Sequence, residues 1–180
     1  MKSYWLMVMG LLAGLWIAAQ PARAQQVTTE NIDGIVNFHR IETVVACSGA
    51  IKPEVVPQIK KMGFVSIINL REPTENGANI EGEGAAAKAE GLRYYSVPFS
   101  ATNPDPAAAD KFIEAITTQG TEPAFIHCAG GGRAATMWFI KRLVVDHWDE
   151  ARAEKEATEL GMNSPKMKQF AIDYAKAHPR

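Results

Sequence analysis

The amino-acid sequence predicts a single α/β domain with a central, mostly parallel sheet flanked by helices. Short apolar runs alternate with segments whose apolar residues recur at helical spacing, which indicates alternating strands and helices. The run FVSIINL at 64–70 has the apolar character of a central strand that is covered on both faces. The chain has 180 residues and 47% hydrophobic content, which suits one compact core.

Apolar spacing and the residues that begin and end helices place the elements along the chain. Pro53 begins the first helix and Gly63 follows its end, the positions that proline and glycine favour. The Ala-rich segment before Gly91 is expected to be a helix with a solvated polar face. The predicted strands are 43–48, 64–70, 92–99 and 124–127. The predicted helices are 53–62, 79–90, 107–118, 134–147, 150–160 and 165–177.

Residues 1–24 have the features of a cleaved signal peptide. Lys2 supplies a positive charge, 4–19 is apolar, and the sequence Ala-Arg-Ala at 22–24 offers the small residues that signal peptidase requires. The apolar stretch is shorter than the ~20 residues of a membrane-spanning helix, so we expect no stable membrane association after cleavage. We therefore expect a domain at 25–180 and a periplasmic or secreted protein.

Charge and residue spacing exclude several ligand classes. A formal net charge of −1 offers no basic surface, so no nucleic-acid partner is expected. The four histidines lack the spacing of metal ligands, and no Gly-Lys-Ser/Thr follows the glycines at 130–132 as a nucleotide-binding loop requires. We therefore expect neither a metal nor another cofactor.

The segment PAFIHCAGGGRAATMWF, 123–139, carries the strongest chemical signal. Cys128 and Arg133 stand at the two ends of a loop between a predicted strand and a predicted helix. The four residues between them are Ala129, Gly130, Gly131 and Gly132. Backbone N–H groups of such a loop, with the positive end of the helix dipole, attract an anion that larger side chains would obstruct. Glycine also permits positive φ angles. The sequence therefore predicts a cradle for a tetrahedral oxyanion.

Cys128 is the predicted nucleophile of this cradle. Helix N-termini and nearby cations favour the thiolate over the thiol, so we expect Cys128 to react as an anion. Arg133 supplies the cation, and its planar guanidinium matches two oxygens of a phosphate. Attack of the thiolate on a bound phosphoester would form a cysteinyl-phosphate. We expect His127, directly before Cys128, to point into the core and not to act as a base.

The sequence HCAGGGR resembles the signature loop of cysteine-dependent phosphatases, in which His-Cys leads a short loop to Arg. Most tyrosine and dual-specificity phosphatases have five residues between Cys and Arg. The four found here are similar to the bacterial beta-lactamase-hydrolase-like, or DSP-type, group of that superfamily. CSGAIKPEVVPQIKKMGFVSIINLREPTE and AEGLRYYSVPFS also resemble this group, and the resemblance spans roughly 44–142. It implies a cysteine-phosphatase-like fold and hydrolysis of phosphoesters on proteins or small molecules.

The resemblance also implies a general acid on the loop after the strand 92–99. Asp105 is the only carboxylate in that loop, SATNPDP. An aspartate before a proline, here Pro106, is also typical of a helix N-cap. Both roles of Asp105 therefore stay open.

Two alternatives to hydrolysis also stay open. Ala134 follows the loop arginine where phosphatases often have Ser or Thr, so a non-catalytic phosphate-binding module is one alternative. A rhodanese-like sulfurtransferase is the other, because its active loop also has a cysteine, four residues and a basic residue. The chain lacks the Asp-Val-Arg strand end and the Gly-His-Ile-Pro-Gly-Ala segment usual in rhodaneses. Phosphoester hydrolysis is therefore the favoured hypothesis.

Two residues outside the loop carry structural expectations. Arg71 lies at the carboxyl end of a predicted strand, where it is expected to pair with Glu72 or Glu75 or to line the substrate rim. Cys47 could bond to Cys128, either as a structural disulfide or as a redox switch that silences the nucleophile.

Overall fold

The computed structural model describes residues 26–179, so the predicted signal peptide lies outside the described residues. The strands are β1 (Val27–Ile32), β2 (Ile35–Ile41), β3 (Val45–Ser48), β4 (Ser66–Asn69), β5 (Arg93–Ser96) and β6 (Ala124–His127). The helices are α1 (Val56–Lys61), after a 3-10 turn at Pro53–Val55, then α2 (Ile80–Ala89), α3 (Pro106–Thr117), α4 (Gly132–Val144), α5 (Glu150–Glu159) and α6 (Pro165–Ala177). Within 26–179, no helix is both long enough and apolar enough to cross a membrane.

The strands form one mixed sheet in the order β1-β2-β3-β6-β4-β5. Strands β3, β6, β4 and β5 run parallel to one another, whereas the β1–β2 and β2–β3 pairs are antiparallel. The carboxyl ends of parallel strands lie at one edge of the sheet, so the loops after β3, β4 and β6 meet there. This architecture confirms the predicted α/β fold with a mostly parallel central sheet flanked by helices.

The hairpin of β1 and β2 adds two strands that the sequence patterns did not predict. Its second strand buries Ile35, Phe38 and Ile41, which are three residues apart instead of two. Asn37 adopts a left-handed backbone with φ of 45° inside this strand, and the register with β1 shifts once. The period-2 alternation of a regular strand is therefore lost, and with it the usual sequence signal.

The sheet divides the apolar core in two. Side chains of α1 and α2 pack with Phe125 on one face, and side chains of α3 to α6 pack with Ile126 on the other. This alternation along β6 continues at its end, because Cys128 belongs to the core of the α3–α6 face. The side chain of His127 lies on the α1–α2 face, where it meets Glu83 of α2.

Helix α2 is not the solvated helix that its composition predicted. Ala87 packs in the core and Glu83 is 0% exposed. The prediction is wrong at Glu83 because polar side chains of β4, β5 and β6 surround its carboxylate. Such partners come from distant parts of the chain, so the local sequence pattern does not reveal them.

Helices α4, α5 and α6 complete the second core. Trp138 of α4 is fully buried, and its Nε1 donates to Oε1 of Glu156 on α5 at 2.8 Å. Arg142 donates to the same oxygen at 2.6 Å and also lies over the Trp138 ring. The C-terminal helices are therefore tied to the helix that follows the cysteine loop.

Candidate active site

The loop from Cys128 to Arg133 joins the carboxyl end of β6 to the first turn of α4. Gly131 precedes the helix with φ of 100°, a left-handed conformation that favours glycine. Its N–H donates to Sγ of Cys128 at 3.1 Å. No side chain caps α4. The N–H groups of its first turn, which have no partner within the helix, are therefore suited to an anion.

The outer side of this loop is held by β2 and by the chain after β3. Ala50 N–H donates to the carbonyl of Ala129 at 2.9 Å, and Nδ2 of Asn37 donates to the carbonyl of Gly130 at 3.0 Å. A Cβ on Gly49 would lie 2.7 Å from the same Ala129 oxygen, closer than real contacts allow. Glycine at position 49 therefore permits the close approach of the two segments.

Arg133 is clamped by Glu75 from the loop after β4. Its Nη1 donates to Oε1 of Glu75 at 2.5 Å and its Nη2 donates to Oε2 at 2.8 Å. Nη1 also donates to the carbonyl of Phe99 at 2.7 Å. A guanidinium has five N–H groups, so Nε and Nη2 keep N–H groups beyond these contacts that can bind two oxygens of a ligand. The sequence analysis did not predict this contact between Arg133 and Glu75.

Arg71 holds the other side of the same carboxylate, which confirms the predicted pairing with a nearby glutamate. Its Nε donates to Oε2 of Glu75 at 3.3 Å. Its Nη atoms donate to the carbonyls of Asn76 and Gly77 at 2.6 and 2.9 Å. Arg71 therefore fixes the segment that presents Glu75 to Arg133.

These contacts keep Glu75 and Arg133 charged. Burial by itself would raise the pKa of Glu75, but hydrogen bonds and charge from Arg133, with hydrogen bonds from the Glu72 backbone and Arg71, lower it to about 2. Burial opposes the charge of Arg133, but hydrogen bonds and charge from Glu75 and Cys128 raise its pKa. Cys128 thus lies close enough to interact with the guanidinium.

A cavity of about 190 Å³ opens at Cys128, which we call the Cys128 cavity. Its walls come from the cysteine loop, the loop before α3 and the start of α6: Ala101, Cys128, Ala129, Gly130, Gly132, Arg133, Asn163, Ser164 and Met167. Four of the five predicted oxyanion-binding residues thus line it, and Gly131 instead turns its N–H to the cysteine sulfur. In the part of the chain that the structure describes, no group of three His, Cys, Asp or Glu side chains could hold a metal.

Comparison with known proteins identifies the family. Residues 37–144 match the family described as Beta-lactamase hydrolase-like protein, phosphatase-like domain. The chain belongs to this family. The resemblance inferred from the sequence is therefore confirmed, and the matched range encloses all of 44–142.

Known relatives of this phosphatase-like domain include longer proteins and solved structures. A Beta-lactamase hydrolase-like protein from Xylella fastidiosa (strain Temecula1 / ATCC 700964) is 33% identical over 105 residues, 56% of this chain and 23% of that protein. The chain thus covers less than a quarter of that relative. A DUF442 protein from Shewanella putrefaciens CN-32 has a TM-score of 0.68 with 19% identity, over 82% of this chain and 96% of that one. A cysteine-to-serine form of P. aeruginosa TpbA, solved with pTyr, has a TM-score of 0.59 with 18% identity, over 82% of this chain and 88% of that one.

Asp105 caps helix α3 of the phosphatase-like domain. Its Oδ1 accepts a hydrogen bond from the N–H of Ala107 at 2.9 Å, and Pro106 is the first residue of the helix. The N-cap prediction is confirmed. Asp105 is exposed and is not among the residues of the Cys128 cavity, although Ala101 of the same loop is. Its role as general acid stays a prediction.

The two cysteines of the phosphatase-like domain are free thiols, so no structural disulfide is present. Cys47 is fully buried in β3, beside β6 in the sheet. Burial raises the pKa of the Cys47 thiol, and the nearby charges of Cys128 and Glu156 raise it further. Cys47 therefore remains protonated and is unsuited to act as a second nucleophile.

The imidazole of His127 points into the core of the phosphatase-like domain, as predicted. It is 0% exposed, and its Nε2 lies 3.0 Å from Oε2 of Glu83.

Asn163, Ser164 and Met167 of the Cys128 cavity were not predicted as site residues. The two C-terminal helices carry no motif, and only the packing of α6 against α4 brings these residues to the loop.

Proposed function

We propose that the chain is an exported cysteine-dependent phosphatase that hydrolyses phosphoric monoesters through a cysteinyl-phosphate. The observation that carries this proposal is the position of Cys128, whose Sγ accepts the Gly131 N–H at 3.1 Å and which lines one cavity with Arg133. Membership of a phosphatase-like family supports it. Export is supported by the signal-peptide features of residues 1–24.

In the proposed Michaelis complex, the phosphate occupies the Cys128 cavity with its oxygens at the first-turn N–H groups of α4. The free edge of the Arg133 guanidinium, on Nε and Nη2, binds two of these oxygens. Glu75 fixes the orientation of that edge before substrate arrives. The cost of ordering the guanidinium is therefore met during folding and not during the reaction.

The proposed reaction has two steps. The Cys128 thiolate attacks phosphorus, so that the S–P bond forms while the P–O bond to the leaving group breaks, and the leaving oxygen takes up a proton. We propose Asp105 as the donor of that proton. Water then attacks phosphorus and gives a proton to the Asp105 carboxylate while the S–P bond breaks, which releases inorganic phosphate and restores the thiolate and the acid.

We propose a phosphorylated protein or a small phosphoester as the substrate, with phosphotyrosine as the first to test. TpbA, which shares the fold, has been solved with pTyr. The cavity volume of about 190 Å³ suits one phosphoryl group with part of its leaving group.

Hydrolysis of p-nitrophenyl phosphate by the purified protein under reducing conditions tests the proposal. Cys128→Ser is expected to abolish turnover while the circular dichroism spectrum stays unchanged, because the serine hydroxyl is a far weaker nucleophile. Cys47→Ser is the matched control, and it should keep turnover because Cys47 is not in the cavity.

Two further assays separate the alternatives. Turnover no greater than that of Cys128→Ser would contradict the proposal. A rise in melting temperature with tungstate but no turnover would identify a non-catalytic oxyanion-binding module. Sulfur transfer from thiosulfate to cyanide without phosphatase activity would identify a sulfurtransferase.

A further inference from the structure

A fully buried carboxylate lies beneath the cysteine loop, on the α1–α2 face of the sheet. Oε2 of Glu83 accepts hydrogen bonds from Nδ2 of Asn69 at 2.6 Å and from the Tyr94 hydroxyl at 3.1 Å. The same oxygen lies 3.0 Å from Nε2 of His127. We call Glu83, Asn69, Tyr94 and His127 the Glu83 cluster. Burial of the cluster raises the pKa of Tyr94, so its hydroxyl stays protonated and donates.

The register of the sheet connects the Glu83 cluster both to the cysteine loop and to Arg71. Asn69 of β4 and His127 of β6 are paired across the strands, so their side chains are neighbours on one face. His127 leads directly to Cys128. Oδ1 of Asn69 accepts the backbone N–H of Arg71 at 2.8 Å, and Arg71 holds the clamp on Arg133 through Glu75.

Glu83 and His127 are in direct polar contact in the buried interior of the protein. Nε2 of His127 is within 3.0 Å of the carboxylate, yet neither ring nitrogen has a well-aligned partner in the part of the chain that the structure describes. Oε1 of Glu83 also has none. A buried carboxylate without polar partners would cost several kcal/mol. The donors of Asn69 and Tyr94 and the imidazole of His127 surround that of Glu83.

We propose that Glu83 is a positioning residue for the cysteine loop, and that its carboxylate fixes the imidazole of His127 and thereby the backbone that presents Cys128. This inference rests on the proposed phosphatase function of the loop. Glu83 does not touch the substrate, because its carboxylate lies on the face of the sheet opposite to the Cys128 side chain. It acts through His127, whereas Asn69 links the cluster to the backbone of Arg71.

We expect Glu83 to affect the rate at which Cys128 attacks phosphorus and not the affinity for substrate. The backbone of His127 is bonded to β4, where Leu70 N–H donates to its carbonyl at 2.9 Å. Loss of the contact between Glu83 and His127 would therefore shift the sulfur slightly and leave the loop folded. A small misplacement of a reacting atom lowers the rate of the chemical step more than it weakens binding.

A double-mutant cycle on the full chain tests whether Glu83 acts through His127. Glu83→Gln keeps the shape and the hydrogen bonds from Asn69 and Tyr94 but removes the charge. We expect it to lower kcat for p-nitrophenyl phosphate about 10-fold with little change in KM. His127→Asn should lower kcat similarly, and the double variant should be no slower than the slower single variant. The control is Glu81→Gln, an exposed position on the same helix, with unchanged kcat.

The proposal is overturned if Glu83→Gln has the wild-type kcat, or if the losses of the two single variants multiply in the double variant. The melting temperature of Glu83→Gln is expected to stay near that of the wild type, because a buried amide costs less than a buried charge. If that variant does not fold, Glu83→Asp replaces it. Asp keeps the carboxylate, but its side chain is one methylene shorter and therefore places the carboxylate farther from His127. A wild-type kcat in Glu83→Asp would equally overturn the proposal.

Alkylation of Cys128 by iodoacetamide separates this inference from the proposed function. Peptide mass mapping follows Cys128 apart from Cys47, and the rate needs no turnover. We expect slower alkylation in Glu83→Gln than in Glu81→Gln at neutral pH. If the wild type has no phosphatase activity but this difference is found, the proposed function fails and the positioning role stands. Equal alkylation rates beside measurable turnover reject the positioning role alone.

Discussion

Asp105 combines a structural position with a proposed chemical role. It is the only carboxylate in the loop 100–106, and its side chain is engaged by the first turn of α3. Asn and Asp cap helices about equally well, but only Asp can donate a proton as an acid. One substitution can therefore keep the cap and remove the acid.

Asp105→Asn is expected to keep the free energy of unfolding and to lower kcat for phenyl phosphate about 10²-fold, the usual contribution of a general acid. The loss with p-nitrophenyl phosphate should be smaller, because its leaving group needs less protonation. Asp105→Ala should show the same loss of kcat and an additional destabilisation of about 1 kcal/mol from the lost cap. A wild-type kcat for phenyl phosphate in Asp105→Asn would rule out this residue as the acid.

The cysteine loop depends on an element that no sequence pattern predicted. Nδ2 of Asn37, inside β2, donates to the carbonyl of Gly130 at 3.0 Å. The left-handed backbone of Asn37, with φ of 45°, turns this side chain toward the loop and also removes the alternation by which a strand is recognised. The same irregularity thus hides the strand and supports the site.

Asn37→Gly separates the backbone conformation from the side-chain contact. Glycine accepts a positive φ, so the fold should be kept while the hydrogen bond to Gly130 is lost. We expect phosphate affinity, measured by calorimetry, to fall about 5-fold, the value of one hydrogen bond of about 1 kcal/mol. Glu42→Gly is the control, because Glu42 has a similar φ of 43° and takes no part in the hydrogen bonds that hold the loop. Equal affinities in the two variants would show that Asn37 does not support the loop.

At the scale of elements, the sequence predicted best the bounds of helices and strands that are set by neighbouring residues. Proline and serine at its start define α6, which spans Pro165–Ala177 as predicted, and β6 spans the predicted 124–127. The burial of Glu83 and the walls of the Cys128 cavity formed by α6 depend on packing between distant segments. The clamp by Glu75 is of the same kind, since 58 residues separate it from Arg133.

At the scale of the whole molecule, the edge of the sheet is held together by charge. The guanidinium groups of Arg71 and Arg133 close on the single carboxylate of Glu75. This contact joins the loop after β4 to the helix after β6. The stability of the domain should therefore depend on the ionisation of Glu75.

The sign of this pH dependence follows from the lowered pKa of Glu75, about 2 against an ordinary 4.5. A carboxyl group with a lowered folded-state pKa stabilises the fold above its unfolded value, and that contribution is lost as pH falls through the folded value. Between pH 4.5 and about 2, the free energy of unfolding should thus decline more steeply in the wild type than in Glu75→Gln. Urea titrations at intervals across this range measure the difference. Equal pH slopes in the wild type and Glu75→Gln would contradict this prediction. So would a loss of slope in the exposed-site control Glu81→Gln that is as large as the loss in Glu75→Gln.

The close approach at Gly49 has a consequence for how this protein tolerates mutation. In a saturation library selected for activity, position 49 should be as intolerant as the nucleophile, although it contributes no reactive atom. Any side chain there would push against the Ala129 carbonyl, which a Cβ would meet at 2.7 Å. Gly130, where a Cβ would have no neighbour within 4 Å, should accept small residues more readily. A tolerance map of the chain would therefore follow steric clearance as closely as it follows chemistry.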